Sequence, residues 1–336
     1  MPLSLAVVGA GFMGSLHART VAECDTAELA ALVDLDETAG RRAAEEYGAR
    51  WHRTVEDALE DPSIDAYIVA LPDRLHVAAT STLLAAGKPV LLEKPMADTL
   101  DGARAIADAA RRGGARLLVG QLLRFDPRYA QAAEAVRGGA AGDPVVAKAG
   151  RFAVRDIGTR TNGTSSVVFY LGIHDVDALQ WVTGSRITRV YSRAVSRLMP
   201  SLGVDSEDAI LSVVDFADGF VGQLFNGWVR PENSAFQIDG RLELIGTSGT
   251  VEVDVRDHGL QIGSSKGYAL PDGNHWPDVN GRISGDLAAE VAHFVRALRR
   301  DEDFVISVDE AMSAVAVNDA ILRSVGSGQA EDVEGL

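Results

Sequence analysis

The sequence predicts a two-part α/β chain. A parallel sheet flanked by helices is expected over residues 1–122. Over 123–336 an α+β domain with a large, open, mostly antiparallel sheet should follow. Three observations predict it. Short continuous apolar runs alternate with helical patterns through the first third of the chain. The apolar period changes to two after Ile187. The length, 336 residues, is about twice that of a common domain.

In order, Leu3 to Val8 reads as a strand, Gly14 to about Ala22 as a helix and Leu29 to Val33 as a second strand. A helix from Asp36 to Tyr47 stops at Gly48. Asp65 to Leu71 is a strand, and Arg74 to Ala86 is a helix closed by Gly87. Val90 to Glu93 and Leu117 to Gly120 are strands on either side of a helix over Thr99 to Arg112, with Asp98 as its expected cap. These strands are apolar along their length rather than alternating, so both faces must be covered. Asp126-Pro127 has the form of a cap and first helical residue for a helix to about Val136. Val145 to Val154 is a strand, and Tyr170 to Val182 is helical up to Gly184. Strands are expected over Val190 to Met199, Ala209 to Phe216, Phe220 to Val229, Gln237 to Ile245 and Thr250 to Val255, with a hairpin at Asp218-Gly219. Two helices end the chain: Asp286 to Leu298, and a second from Ser307, where Ser307 and Glu310 form a capping-box pattern. The polar tail from Gly326 is expected to fray.

Composition narrows the function classes. Asp and Glu number 48 against 32 Lys and Arg, a formal charge of -16. No dense basic run is present, so neither nucleic acid nor an anionic membrane is an expected partner. The single Cys24 excludes an intrachain disulfide and any multi-thiolate metal site. His17, His52, His258, His275 and His293 show no metal-ligand spacing, and no metal is expected. No secretory n-region precedes Arg19, so cytoplasmic residence is expected.

The strongest local signal is Gly9-Ala10-Gly11-Phe12-Met13-Gly14. It follows a strand and opens a helix, the context that the GxGxxG fingerprint of a Rossmann domain requires. Gly9 permits the tight turn, Gly11 the approach of a pyrophosphate, and Gly14 close packing of helix on sheet. The phosphates then meet the helix N-terminus. Asp34 ends the second strand, where a carboxylate accepts hydrogen bonds from the adenosine ribose and repels a 2'-phosphate. Leu35 follows it, so NAD is expected in preference to NADP.

Four motifs extend the pattern: Gly9 to Gly14, Leu71-Pro72 with His76, Glu93-Lys94-Pro95, and Gly172-Ile173-His174-Asp175 followed by Asp177. Through them nearly the whole chain resembles the glucose-fructose oxidoreductase / inositol dehydrogenase / MocA oxidoreductase family. The resemblance implies an NAD-dependent dehydrogenase interconverting a secondary alcohol and a ketone on a sugar, sugar derivative or cyclitol. Lys94 would touch both nicotinamide ribose and substrate hydroxyl, and His174 would transfer the proton. Leu71, Pro72, His76, Glu93 and Gln121 would surround the cofactor, His76 being equally open to a packing role at the helix start, with Pro95 matching a proline that is usually cis. Arg124, Arg155, Asn162, Tyr170 and Asp175 are candidate substrate contacts, as is Arg151. The resemblance also implies homodimers or homotetramers formed through the second domain's sheet.

Tyr170 departs from the pattern. It stands where the family often has Asp, four residues before the histidine, and a phenol with a reference pKa of about 10 is a poor base at neutral pH. An Asp-Lys-His relay is therefore incomplete. Two other readings stay open: a non-catalytic NAD-binding or sensor protein on the same scaffold, and a dehydrogenase of another small-molecule class such as a dihydrodiol. Trp276, in the loop from Gly267 to Gly285, could cap a sugar, meet a second subunit or pack on the sheet.

Overall fold

The computed structural model describes residues 2–256, 259–265 and 267–335. His258 lies outside them. In chain order the first part contains β1 (Leu3–Val8), α1 (Phe12–Ala22), β2 (Ala27–Val33), α2 (Glu37–Glu46), β3 (Arg50–His52), α3 (Val55–Leu59), β4 (Ala66–Val69), α4 (His76–Ala85), β5 (Val90–Glu93), α5 (Leu100–Gly113) and β6 (Leu117–Gly120). Next come α6 (Pro127–Arg137), β7 (Pro144–Val154), α7 (Arg155–Arg160), α8 (Ile173–Thr183), β8 (Ile187–Val195), α9 (Leu198–Ser201), β9 (Ala209–Phe216), β10 (Val221–Arg230), β11 (Ile238–Gly246) and β12 (Thr250–Asp254). Short strands β13 (Ile262–Ser264), β14 (Gly267–Ala269), β15 (Asp278–Val279) and β16 (Arg282–Ile283) precede α10 (Asp286–Arg300), α11 (Val308–Ser327) and β17 (Glu331–Asp332).

The chain forms two compact units, Met1–Phe125 with Asn274–Met312, and Asp126–Gly273 with Ser313–Leu336. Residues 274–312 thus join the first unit, whereas the sequence assigned them to the second domain. The reason lies in α10, whose apolar stripe of Leu287, Val291, Phe294 and Val295 is buried.

The first unit is a parallel sheet of order β3-β2-β1-β4-β5-β6, a doubly wound arrangement. Every residue of β4, β5 and β6 is buried, as continuous apolar strands require. Asp36 caps α2 by accepting from the amides of Thr38 and Ala39. Thr99, not the expected Asp98, caps α5, accepting from the Gly102 amide at 3.1 Å. The sequence reading missed β3 and α3. Both are too short to show a period, although Thr54 and Asp57 form a reciprocal capping box that marks the start of α3.

The second unit carries a seven-stranded sheet, β12-β11-β7-β10-β9-β8-β17. All neighbours run antiparallel except β7 and β10, which are parallel. In β9 the burial alternates strictly, with Ile210, Ser212, Val214 and Phe216 inward and Leu211, Val213 and Asp215 outward. The Asp218-Gly219 hairpin joins β9 to β10, with Gly219 at φ +86. The tail does not fray as expected. Its β17 adds to the sheet edge, where Glu331 pairs Val190 and the Val333 amide donates to the Thr188 carbonyl at 2.9 Å.

Candidate active site

The cofactor half begins at the turn between β1 and α1. The Gly9 amide donates to the Val33 carbonyl at 2.8 Å, and its φ of +101 suits only glycine. A Cβ on Gly14 would lie 1.8 Å from the Gly9 carbonyl oxygen, so α1 rests directly on the turn. At Gly11 a Cβ would meet nothing within 4 Å. Gly11 begins α1 with no side-chain cap and no acidic residue in the first turn. An anion can therefore approach the backbone here, and the helix dipole favours it. Phe12 is exposed, and its ring meets Trp276 edge-on at a centroid distance of 6.0 Å. Met13 is half-buried.

Asp34 is fixed rather than loose. One carboxylate oxygen accepts from the Ala10 amide at 2.7 Å and the other from the Asp36 amide at 2.8 Å. Each oxygen keeps a lone pair for a ribose hydroxyl. A cavity of about 440 Å³ beside it is lined by Asp34, Leu35, Thr54, Leu71 and Pro72, with exposed Arg53 at its wall. That volume and apolar lining suit an adenosine.

Glu93 and Lys94 lie at the end of β5, and the Lys94–Pro95 peptide is cis. The buried Glu93 carboxylate meets His17 Nε2 at 2.8 Å and accepts from the Lys94 amide at 3.2 Å. Burial alone would raise this carboxyl, but the hydrogen bond and charge of His17, with Lys94 and His76, bring it below its usual value. Lys94 itself is half-buried.

Three expected site residues are corrected. His76 is fully buried, with Nδ1 2.8 Å from the Pro95 carbonyl and Nε2 2.8 Å from the Leu71 carbonyl. Its ring is a strut between two loops and has no nitrogen left for a cofactor. The Arg124 guanidinium is buried and donates to the Val305 carbonyl at 3.1 Å and Glu310 at 2.7 Å, pinning the start of α11 instead of a substrate. Asp175 is buried in the second unit, 3.3 Å from Arg151 on β7 and accepting from Asn226 on β10 at 2.6 Å. It ties α8 to the sheet beneath. Burial holds its carboxyl above the usual range in spite of Arg151. Arg151, equally buried, serves this pair rather than a ligand.

Gln121 is buried, with neither amide atom hydrogen-bonded. In the second unit, a π-helical turn at Val168–Gly172 leads into α8. The i→i+5 bonding of that turn places Tyr170 outside the regular α-helix, which the sequence predicts to begin at Tyr170. Gly172 packs tightly here, since a Cβ would lie 2.8 Å from the Asn226 side-chain oxygen. Tyr170 is exposed, its ring 6.1 Å from that of buried Trp228, while His174 is half-buried in the first turn of α8. Arg155 lies 3.5 Å from Glu232, and Asn162 is exposed in a left-handed turn at φ +49.

Sequence reasoning missed two buried side chains at the end of β5: His17, which meets Glu93, and Glu290, which lies over Gly120, the residue paired with Glu93. His17 carries no motif, and Glu290 follows β5 by almost two hundred residues; only its place on the buried stripe of α10 could have marked it. Among the described residues no group of three or more His, Cys, Asp or Glu side chains could hold a metal. Nor, among them, is any helix long and apolar enough to cross a membrane.

The chain is similar to known proteins along nearly its whole length. Residues 3–121 match the oxidoreductase family model with an NAD-binding Rossmann fold, and residues 129–252 match the GFO/IDH/MocA C-terminal domain. An inositol 2-dehydrogenase of Rubrobacter xylanophilus is 30% identical, covering 99% of this chain and 94% of that protein. Inositol 2-dehydrogenase 1 of Saccharopolyspora erythraea is 31% identical over 99% and 97%. Among solved structures, GenD2 from gentamicin A biosynthesis, in complex with NAD, superposes with a TM-score of 0.86 at 26% identity, covering 99% of this chain and 97% of that one. The chain belongs to the Gfo/Idh/MocA oxidoreductase family.

Proposed function

We propose that the protein is an NAD-dependent dehydrogenase that interconverts a secondary alcohol and a ketone on a sugar, sugar derivative or cyclitol of the inositol kind. The observation that carries this reading is the pairing of an uncapped Gly11 turn with a clamped Asp34 in the unit that also presents Lys94 at a strand end. The names of the relatives, inositol dehydrogenases above all, support the substrate class.

NAD, when bound, supplies the hydride acceptor. The Gly11 to Gly14 turn holds its pyrophosphate and Asp34 its adenosine ribose, and the carboxylate disfavours a 2'-phosphate. Lys94 keeps positive charge beside the substrate oxygen and stabilises its developing alkoxide. His174 takes the hydroxyl proton in oxidation and returns it in reduction, a task suited to imidazole near neutral pH. Tyr170 is exposed enough to give a hydrogen bond to a polyol. The sheet face bearing exposed Tyr191, Leu211, Val213 and Val221 is the surface through which we expect homodimers or homotetramers.

The test is a screen of inositols, polyols, aldoses and sugar acids with NAD, followed by NADH absorbance. Lys94→Ala and His174→Ala should each retain NAD binding and lose most turnover. Full turnover in both variants would refute the assignment. Tight NAD binding without turnover on any compound would favour a sensor, the reading that Tyr170 in place of Asp supports.

A further inference from the structure

Three carboxylates are buried together in the first unit. Glu93 pairs across the sheet with Gly120, at the adjoining ends of β5 and β6. From α10, Glu290 lies over that same point: a Cβ on Gly120 would be 3.5 and 3.6 Å from its two carboxylate oxygens. Asp286 precedes Glu290 by one turn of α10. Glu290 and Asp286 are each 1% exposed and Glu93 8%. Their surroundings differ. Glu93 has His17 and the Lys94 amide as partners. Glu290 Oε1 has no hydrogen-bond partner, and the same holds for both amide atoms of neighbouring Gln121 and for His17 Nδ1.

Like charges this close cannot both be carried in a dry interior, so one group must be neutral. Glu93 has the cationic neighbours and keeps its charge. Burial first, then the charges of Glu93 and Asp286, hold the Glu290 carboxyl well above its usual range.

We propose that Glu290 is a positioning residue that holds a proton beneath the Glu93-Lys94-Pro95 turn and acts on Lys94 through Glu93. This rests on the reading of Lys94 as the group beside the substrate oxygen. With Glu290 neutral, Glu93 is an anion that both His17 and Lys94 act on. Loss of the proton puts a second, unpaired anion behind Glu93, with Asp286 adding to the repulsion. The strand end then loosens and the ammonium of Lys94 is held more tightly. Activity should consequently fall as Glu290 ionises on the alkaline side.

The test uses the full-length, cofactor-free protein first. Infrared spectra with isotope-labelled glutamate should contain a carboxylic-acid band at neutral pH that disappears as pH rises. The band should be missing from Glu290→Gln. The wild-type titration needs no variant, so a misfolded mutant does not blunt it. The chain has four lysines, and NMR of reductively methylated protein can follow Lys94 alone. Its titration should show a second inflection at the pH where the band is lost, and Glu290→Gln should abolish that inflection. In turnover, Glu290→Gln should stay within about threefold of wild type at neutral pH and move the alkaline limb of kcat upward by about one pH unit or more. Absence of the acid band at neutral pH overturns the proposal. So does a Lys94 titration unaltered in the variant. No turnover with both spectroscopic results positive refutes the dehydrogenase reading alone.

Discussion

Two glycines of one turn should respond to the same substitution in opposite ways. Gly14 lies inside α1, where replacing glycine by alanine ordinarily stabilises a helix by about 1 kcal/mol. Here the new Cβ would lie 1.8 Å from the Gly9 carbonyl oxygen, and Gly9 cannot retreat because its own position is hemmed by the Ala70 carbonyl. Forcing atoms into a packed interior costs about 1–3 kcal/mol, and the partner here is backbone, which places Gly14→Ala at the upper end. The net expectation is a loss of about 1–2 kcal/mol. Gly11→Ala meets nothing within 4 Å, and its φ of -73 is open to any residue. Its stability should change by less than about 1 kcal/mol, the usual difference between glycine and alanine at a helix start. The methyl would instead occupy the space into which a pyrophosphate must come. NAD affinity should fall at least about tenfold, equivalent to about 1.4 kcal/mol. Urea denaturation gives the first quantity and NADH fluorescence titration the second. If Gly11→Ala binds NADH as tightly as wild type, the pyrophosphate does not lie over this turn. If Gly14→Ala is as stable as wild type, the contact between helix and turn is not as described.

Removing the carboxylate in Asp175→Ala strands the Arg151 guanidinium in the interior and should cost about 3–5 kcal/mol by urea denaturation; a loss under 1 kcal/mol would return Asp175 to the list of ligand contacts. Asp34→Ala removes the acceptor of the Ala10 and Asp36 amides as well as the charge that repels a 2'-phosphate. The ratio of NAD to NADP affinity should fall at least about tenfold, with both affinities reduced. Because the folded protein raises the Glu290 carboxyl above its unfolded value of about 4.3, the folded state binds more protons between the two. Its contribution is complete at pH below about 4.3 and is lost as pH rises towards the folded value, so Glu290→Gln should flatten the decline in stability measured over that window.

The parts of the site that were readable from the sequence are those whose chemistry is local. Gly9, Gly11 and Gly14 act through the backbone of a single turn, and Asp34 ends the next strand. A spacing rule captures all four because β1, α1 and β2 are consecutive and their connections are short. Lys94 was singled out by the family resemblance, together with its place after the last residue of β5. The sheets were legible too, since strand periods report which faces are buried. The errors fall where a polar side chain serves the interior. His76, Arg124 and Asp175 look in the sequence like groups awaiting a ligand, because nothing local says that carbonyls 5 and 19 residues away, a carboxylate 186 away or an arginine 24 away already hold them.

The same distinction explains why Glu290 could not be found by motif. A buried acid becomes chemically unusual only through neighbours that the fold supplies, and its own helix supplies one of them, Asp286. Glu93 comes from β5 and Gly120, which faces Glu290, from β6, 197 and 170 residues earlier. A methyl at position 120 would meet the two Glu290 oxygens at 3.5 and 3.6 Å, an ordinary contact, so alanine there leaves the acids in place. A branched side chain reaches further into the same space, and Gly120→Val should push Glu290 away from Glu93 without touching either acid. If the proton on Glu290 is held there by Glu93, the acid band should then be lost at lower pH than in wild type. If burial alone holds it, the band should persist unchanged, and the link from Glu290 to Lys94 would have no carrier.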